Sequence, residues 1–368
     1  MKIAVFFTYD YGVETLIKAG IFERELKVYK NLNKKHDIDF KFFTYDVNNP
    51  YVHENFEFVS IYQHINRPKN KYLRLINSFL IPFKLKKNLL DCDLIHQHQL
   101  HGVWISLLIN FLTKKPLLVR TGYDAYQFSI NNKENFINRS FNRIITKYAL
   151  KYADLYTVTS NEDFQFLKNK FNKIKQISIV PNWIEENRVN NEKKLTNRIL
   201  MVGRLEKQKN YLEAINFLEF NNSYTIDIVG TGAERKLIES VANKYNLKIN
   251  FLENLNHEKL IKLYPKYYYF LSTSIFEGNP KSILEALNSG CIVFASNIAN
   301  HRELIKDQLN GILYDNIDEL IKKFNLVVQN KVIQERISLN AKNSVKKNSI
   351  ENIVQTMYKD YCDLILDK

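Results

Sequence analysis

Cysteine is nearly absent from this chain. Cys92, Cys291 and Cys362 are the three in 368 residues, and being scattered and odd in number they argue against both a disulfide framework and a zinc site. Long apolar runs are missing too. No stretch approaches the ~18 consecutive apolar residues of a spanning helix, and the apolar start Ile3 to Phe7 is too short for the hydrophobic region of a signal peptide. The expectation is a cytosolic chain. No repeat of fixed period is visible, and the aromatic residues lack the pattern of a nucleic-acid module despite a net charge of +14, so nucleic acid is not expected as a partner. Between Glu57 and Asp91 there is no acidic residue at all, but seven basic ones: Arg67, Lys69, Lys71, Arg74, Lys84, Lys86 and Lys87.

What is present is enough for two cores. With 45% hydrophobic residues the chain exceeds the ~100–150 residues of a typical domain more than twofold. Short apolar runs alternate with helical stretches, the pattern of a doubly wound α/β architecture. In the first half the strands are expected at Lys2 to Phe7, Asp39 to Phe43, Phe56 to Ile61, Leu94 to His98, Leu117 to Arg120 and Leu155 to Thr159, with helices at Glu14 to Leu32 and Arg139 to Tyr152. Val180 to Ile184 followed by the polar stretch Glu185 to Asn197 reads as a linker. The expected domains are residues 1–184 and 198–349, joined by residues 185–197, with a last helix over 350–368 packing back on the first domain.

The most informative segment is Phe276 to Leu287, where Glu277 and Glu285 stand eight positions apart across a strand-to-helix turn. Tyr267 to Leu271 reads as the strand, Pro280 suits the first turn of the helix, and Gly290 its C-terminal cap. Free N–H groups around Asn279 to Ser282 and the positive helix end would face an anionic or hydroxyl-rich ligand, with the two carboxylates as acceptors for vicinal hydroxyls. Taken alone, the pair fits better a loop glutamate capping its helix beside a solvated one, as with any short motif. Upstream, Gly203-Arg204 follows a strand, with Lys209 before a helix. These cations suit a diphosphate, Arg as a planar fork and Lys as a mobile point charge. A second strand-glycine unit, Gly230-Thr231-Gly232, permits close backbone approach, and a third turn, Ser296 to Glu303, precedes Asn310-Gly311.

These four blocks, over about residues 196 to 315, resemble the C-terminal half of the retaining glycosyltransferases of family 4, also called glycosyl transferases group 1. The resemblance implies the GT-B architecture, two Rossmann-like doubly wound domains facing across a cleft. It implies that Arg204 and Lys209 bind the diphosphate of a nucleoside-diphosphate sugar, that Glu285 accepts from the ribose hydroxyls and that Glu277 touches the transferred sugar. Gly203, Gly230, Gly232, Gly278, Asn279, Pro280 and Lys281 complete the donor pocket. It further implies retention of configuration by front-face attack, with the donor's own phosphate receiving the acceptor proton. Neither cofactor nor metal is expected, because the two cations carry the charge that magnesium or manganese would neutralise. The triplets Asp37-Ile38-Asp39 and Asp91-Cys92-Asp93 sit at strand starts, away from the strand ends where ligands bind in open α/β sheets.

The N-terminal half departs further from the family. One glycine, Gly12, stands where the family often has a double-glycine loop near the donor phosphates. Thr121-Gly122-Tyr123-Asp124 replaces a frequent His-Gly-x-Asp, with Arg120 before it. Arg120 and Asp124 then fit either a sugar, phosphate or anionic acceptor contact or, for Arg120, an interdomain salt bridge. His98 fits a cleft residue or a core one, and no further ligand completes a metal set with His96 and His101. Residues 1–180 hold 27 Lys/Arg against 16 Asp/Glu. With Tyr72, Leu73, Ile76, Phe79, Leu80 and Phe83 interleaved among its cations, the segment from Arg67 to Lys87 suits an anionic membrane surface, or simply a solvated lysine-rich one. The expected partners are therefore a nucleotide-sugar donor, a glycan or lipid-linked acceptor, and the inner face of the cytoplasmic membrane. The expected role is assembly of a bacterial surface polysaccharide or lipopolysaccharide. An epimerase or phosphorylase on the same fold remains the alternative.

Overall fold

Runs of β-branched and aromatic residues without alternation, such as Ile3 to Phe6 and Ile292 to Ala295, are buried on both faces, which is the signature of parallel strands covered by helices. A computed structural model describes residues 1–47, 51–185, 194–252 and 255–366. The chain divides into two compact units, Met1–Pro181 with Glu351–Lys368, and Asn182–Ile350.

Unit 1 carries the strands β1 (Lys2–Phe6), β2 (Asp39–Thr44), β3 (Glu57–Ser60), β4 (Leu94–Gln97), β5 (Leu117–Arg120), β6 (Leu155–Val158) and β7 (Ile177–Ile179). They form one parallel sheet in the order β3-β2-β1-β4-β5-β6-β7. Chain direction across the sheet reverses between β1 and β4, the switch point of a doubly wound fold. Unit 2 repeats the plan with β8 (Leu195–Val202), β9 (Thr225–Val229), β10 (Ile249–Leu252), β11 (Tyr267–Ser272), β12 (Ile292–Ser296) and β13 (Ile312–Tyr314), ordered β10-β9-β8-β11-β12-β13. All its ladders are parallel too.

Three sequence expectations need correction. The helix expected over Glu14 to Leu32 is two, Val13–Lys18 and Phe22–His36, because Gly20 between them takes φ +68°, which a right-handed helix cannot absorb. A seventh strand, β7, was not foreseen; it has three residues, none of them buried. The stretch taken as linker gives way at Leu195, where β8 starts and pairs with Tyr267; its central part, residues 186–193, lies outside the described residues. The final helix runs Ile350–Leu366 and, from Glu351, belongs to unit 1. There Tyr361 Oη meets His96 Nδ1 at 2.8 Å, and Tyr358 stacks on His36 at 3.8 Å between ring centroids.

Candidate active site

In unit 2 three strand ends carry the expected residues. The turn after β8 holds Gly203 and Arg204, and the turn after β9 holds Gly230 and Gly232. The loop after β11 holds Glu277 to Pro280. The glycines lock the first two turns together. Gly203 N–H donates to Val229 O at 3.0 Å and Leu205 N–H to Thr231 O at 2.9 Å. A Cβ on Gly230, where φ is +150°, would overlap the Gly203 carbonyl oxygen. Their smallness thus serves the approach of backbone to backbone. Lys209 then folds back so that its Cε would lie 3.0 Å from a Cβ at Gly203.

That fold-back brings Lys209 Nζ onto Glu277 Oε1 in a close ion pair, with the two side chains only 18% and 9% exposed. Ser274 Oγ donates to the same oxygen at 2.7 Å, and Gln208 Nε2 to Oε2 at 3.4 Å. Glu277 therefore fixes the ammonium, and the lone pairs left on Oε2 are its remaining acceptor capacity. Arg204 differs. Its side chain is 64% exposed and pairs with Glu206 at 3.1 Å, so it can swing onto a ligand at little cost.

The helix Lys281–Asn288 starts behind Pro280 and ends in a Schellman motif, with Gly290 N–H on Leu287 O at 2.9 Å and Cys291 N–H on Ala286 O at 3.0 Å. Its first turn sits beside a clamp. Asn279 Oδ1 accepts from Asn182 N–H at 3.0 Å, Asn182 Nδ2 donates back to Asn279 O at 2.6 Å, and Lys281 Nζ stands 3.7 Å from the Trp183 ring centroid. Glu285 is buried on this helix, with Oε1 on His257 Nε2 at 2.9 Å and Oε2 accepting from Tyr264 Oη at 3.0 Å. Gly278 is buried behind Glu277. His301 completes the surroundings. Burial pushes it down to about 4, so the ring is neutral at pH 7, with Nδ1–H donating to Ser296 O at 2.8 Å and a buried Nε2 lacking a protein partner. Glu277 and Lys209 are close enough to act on its charge.

Matches to known proteins fit this arrangement. The family model of glycosyl transferases group 1 matches residues 183–344 and that of Glycosyltransferase Family 4 residues 29–188. The chain belongs to this family of glycosyltransferases. Among relatives, the capsular polysaccharide biosynthesis glycosyltransferase CapH of Staphylococcus aureus is 27% identical, over 62% of this chain and 67% of its own. The UDP-Gal:alpha-D-GlcNAc-diphosphoundecaprenol alpha-1,3-galactosyltransferase of Escherichia coli is 24% identical, over 75% and 76%. Sucrose-phosphate synthase of Thermosynechococcus elongatus superposes with a TM-score of 0.81 at 16% identity, covering 100% of both chains. At that identity the likeness shows the fold, and the fold is GT-B: two parallel-sheet Rossmann-like domains.

In unit 1 of this glycosyltransferase the expected residues are largely engaged with the protein itself. Gly12 precedes a helix of six residues, and Asp46 Oδ1 lies where a Gly12 Cβ would go and faces Glu14 N–H at 3.5 Å. His98 follows β4 and is shared between Tyr29 Oη at 3.0 Å and Glu25 Oε2 at 3.5 Å. Asp124 is fully buried. It caps the helix Ala125–Asn131 through Gln127 N–H at 2.8 Å and accepts from Tyr156 Oη at 3.2 Å, a structural role that leaves it no surface for a sugar. Burial raises its carboxyl to about 6. Arg120 ends β5, close enough to Tyr29, His96 and Tyr361 for its charge to act on all three. Asp91 is held between Lys2 at 2.5 Å and Lys41 at 3.0 Å, and the Lys2 hydrogen bond keeps its carboxyl below the usual range. Asp93 accepts from Lys2 N–H at 2.8 Å.

Sequence reading missed His257, Tyr264, Gln208 and His301. Two of them carried a visible signal, His301 lying in the Ser296 to Glu303 turn and Gln208 beside Lys209 in the block after β8, both of which the resemblance had marked.

Proposed function

We propose that this enzyme transfers a hexose from a nucleoside-diphosphate sugar, with retention of configuration, to a lipid-linked acceptor in the building of a bacterial surface polysaccharide. The observation that carries this reading is the partly buried Lys209–Glu277 pair at the mouth of the β8 and β11 turns. It holds an ammonium in place before any ligand arrives, which is what stabilising a departing diphosphate demands.

As the anomeric C–O bond breaks, negative charge collects on the leaving phosphate. Lys209 is fixed to meet it, Arg204 closes from the exposed side, and the N-terminal end of Lys281–Asn288 adds a partial positive charge. Fixed donors of this kind are worth ~3–4 kcal/mol each. The acceptor oxygen bonds to the anomeric carbon on the same face, and its proton passes to the leaving phosphate oxygen. Glu277, already bonded to three protein donors, suits orienting a sugar hydroxyl better than attacking carbon. Glu285 with His257 and Tyr264 would receive the ribose. The charge Lys209 and Arg204 supply makes a metal ion unnecessary in this scheme. Polysaccharide synthesis and a diphosphoundecaprenol acceptor stand in the names of the two relatives, and UDP-galactose in one of them makes UDP-hexoses the first donors to try. Attachment to the inner face of the cytoplasmic membrane is part of the proposal; no helix among the described residues is long and apolar enough to cross one.

The test is a thermal-shift panel of UDP-, GDP- and ADP-sugars followed by transfer to a diphospholipid-linked sugar. One nucleotide class should raise Tm selectively, and the product should keep the donor's anomeric configuration by NMR. An inverted product would end the retention reading, and no stabilisation by any nucleotide sugar would end the donor assignment.

A further inference from the structure

Unit 1 contains a cavity of about 340 Å3, within the usual range for small-molecule sites. Thr8, Tyr9 and Tyr11 from the loop after β1 line one side, and His101 and Trp104 from the chain after β4 another. β1 and β4 are the neighbours between which the winding reverses, so the cavity lies at the carboxyl-end crevice where open α/β sheets take their ligands. Its outer wall is the helix Lys71–Ser78, through Lys71, Tyr72 and Leu75, with Phe141 from the helix Phe136–Tyr152 opposite.

The wall is pinned. Asp10, at φ +62°, accepts from Tyr62 Oη at 2.6 Å and pairs with Arg67 at 3.3 Å and Arg74 at 3.1 Å. Trp104 Nε1 donates to Ser78 Oγ at 2.8 Å. Two of the seven cations that looked membrane-directed in sequence are thus consumed in holding the helix over the β1 loop. The cavity is left with a continuous aromatic surface, Trp104 lying 5.1 Å from Tyr9 and 5.9 Å from Phe141 between ring centroids, with Lys71 and His101, whose Nε2 meets Asn142 Oδ1 at 3.1 Å, beside the hydroxyl-bearing Thr8, Tyr9, Tyr11 and Tyr72. No carboxylate among the described residues lines it.

Apolar surface continues out of the cavity on both helices. Tyr72 and Ile76 on the first helix are 66% and 63% exposed and Phe83, in the short helix Ile81–Lys84 that follows it, 60%, with Phe136 and Ile137 on the other helix 82% and 77%. Exposed cations flank them: Lys69, Lys84, Lys86 and Lys87 on one side, Arg139, Arg143 and Lys147 on the other. Apolar side chains of this size, left in water beside unpaired cations, fit the headgroup region of an anionic bilayer.

We propose that this cavity seats the diphosphate and first isoprene units of a polyprenyl-diphosphate-linked acceptor, with both helices resting on the bilayer that delivers it. Aromatic walls take the isoprene, Lys71 and His101 face the diphosphate, and the sugar extends toward the β1 loop. This deepens the lipid-linked reading above and rests on it.

The probe is farnesyl diphosphate, with farnesol and inorganic diphosphate as partial ligands. Trp104 and Trp183 are the only tryptophans, so Trp183→Phe leaves Trp104 as sole reporter within the cavity. Farnesyl diphosphate should shift Trp104 emission saturably, while farnesol and inorganic diphosphate bind at least tenfold more weakly. Lys71→Glu, at an exposed position, should weaken farnesyl diphosphate tenfold or more, and Leu75→Asp likewise, with melting profiles confirming both folds. No saturable response overturns the proposal, as does an unchanged affinity in Lys71→Glu. Farnesol binding as tightly as its diphosphate would make this a neutral-lipid site instead. Nucleotide-sugar thermal shifts on the same protein separate the two readings: stabilisation by a donor without any Trp104 response sinks this inference and leaves the transferase reading standing.

Discussion

Removing Glu277 should cost unit 2 more stability than removing Lys209, and removing both charges should restore most of it. Glu277→Ala leaves the Lys209 ammonium, only 18% exposed, without its carboxylate, and takes an acceptor from Ser274 and Gln208 as well. Stranding a buried charge costs about 3–5 kcal/mol. Lys209→Met strands the carboxylate instead, but Ser274 Oγ at 2.7 Å still solvates it, so ~1–3 kcal/mol is expected. Glu277→Gln with Lys209→Met leaves no charge to desolvate and should fall within ~1 kcal/mol of the parent, since replacing a buried pair is often near neutral. Trp183 reports on unit 2, being 6% exposed there, so urea titration in a Trp104→Phe background isolates the relevant transition. For a unit of this size a loss of ~4 kcal/mol lowers Tm by roughly 8–16 °C. The double variant should be stable and inactive, the combination that separates a catalytic pair from a structural one. If each single variant costs under ~1 kcal/mol, the pair is not the desolvated one described. A double variant that transfers sugar at the parent rate would refute the assignment of Lys209 to the diphosphate.

Arg204→Ala, at a largely exposed position, should lower turnover by roughly 10²–10³ with Tm unchanged, read by steady-state kinetics and melting. Transfer should survive excess chelator; strict dependence on added manganese or magnesium would count against leaving-group stabilisation by cations alone. Lys84, Lys86 and Lys87 together changed to Glu should abolish sedimentation with anionic vesicles at low salt, each cation near such a surface being worth ~1 kcal/mol; a parent protein that ignores those vesicles removes the membrane contact. Asp124 should give unit 1 a pH signature. Its folded value of about 6 lies above the ~3.9 of an unfolded Asp, so the native state holds the proton longer and loses ~3 kcal/mol relative to Asp124→Asn as pH rises from about 4 to about 6. Equal pH slopes in parent and variant would contradict a buried carboxyl here.

The strands were legible because each buried parallel strand announces itself as a short unbroken apolar run between polar segments. Leu117–Arg120 is found at its expected bounds, and β2, β4 and β6 to within a residue at one end. Gly20 was harder, since the apolar spacing from Val13 to Leu32 runs through the break and only the backbone sign at one residue reveals it. β7 escaped because three half-exposed residues carry almost no pattern.

For the site, local chemistry proved readable and long-range chemistry did not. Glu277 and Lys209 were both singled out, yet their contact spans 68 residues and depends on Gly203 and Gly230 letting two turns meet. Glu285 was placed on its helix correctly, while His257 and Tyr264 lie 28 and 21 residues upstream with nothing in their own surroundings to mark them. The same logic applies in unit 1. A sequence offers Gly12, His98 and Asp124 as free groups, whereas folding brings Asp46, Tyr29 with Glu25, and Tyr156 onto them. A polar residue buried near a strand end must find a partner, and when the protein supplies it the residue holds the scaffold. The residues most open to substrate are therefore those whose partners are weak or incomplete. Among the described residues Arg204 has one solvent-exposed carboxylate, His301 has a buried ring nitrogen with no protein partner, and Lys71 has only the face of Tyr72 at 5.1 Å. That criterion supports the proposed places of the donor's phosphates near Arg204 and of an anionic acceptor near Lys71, which the sequence alone had treated as one cation among seven.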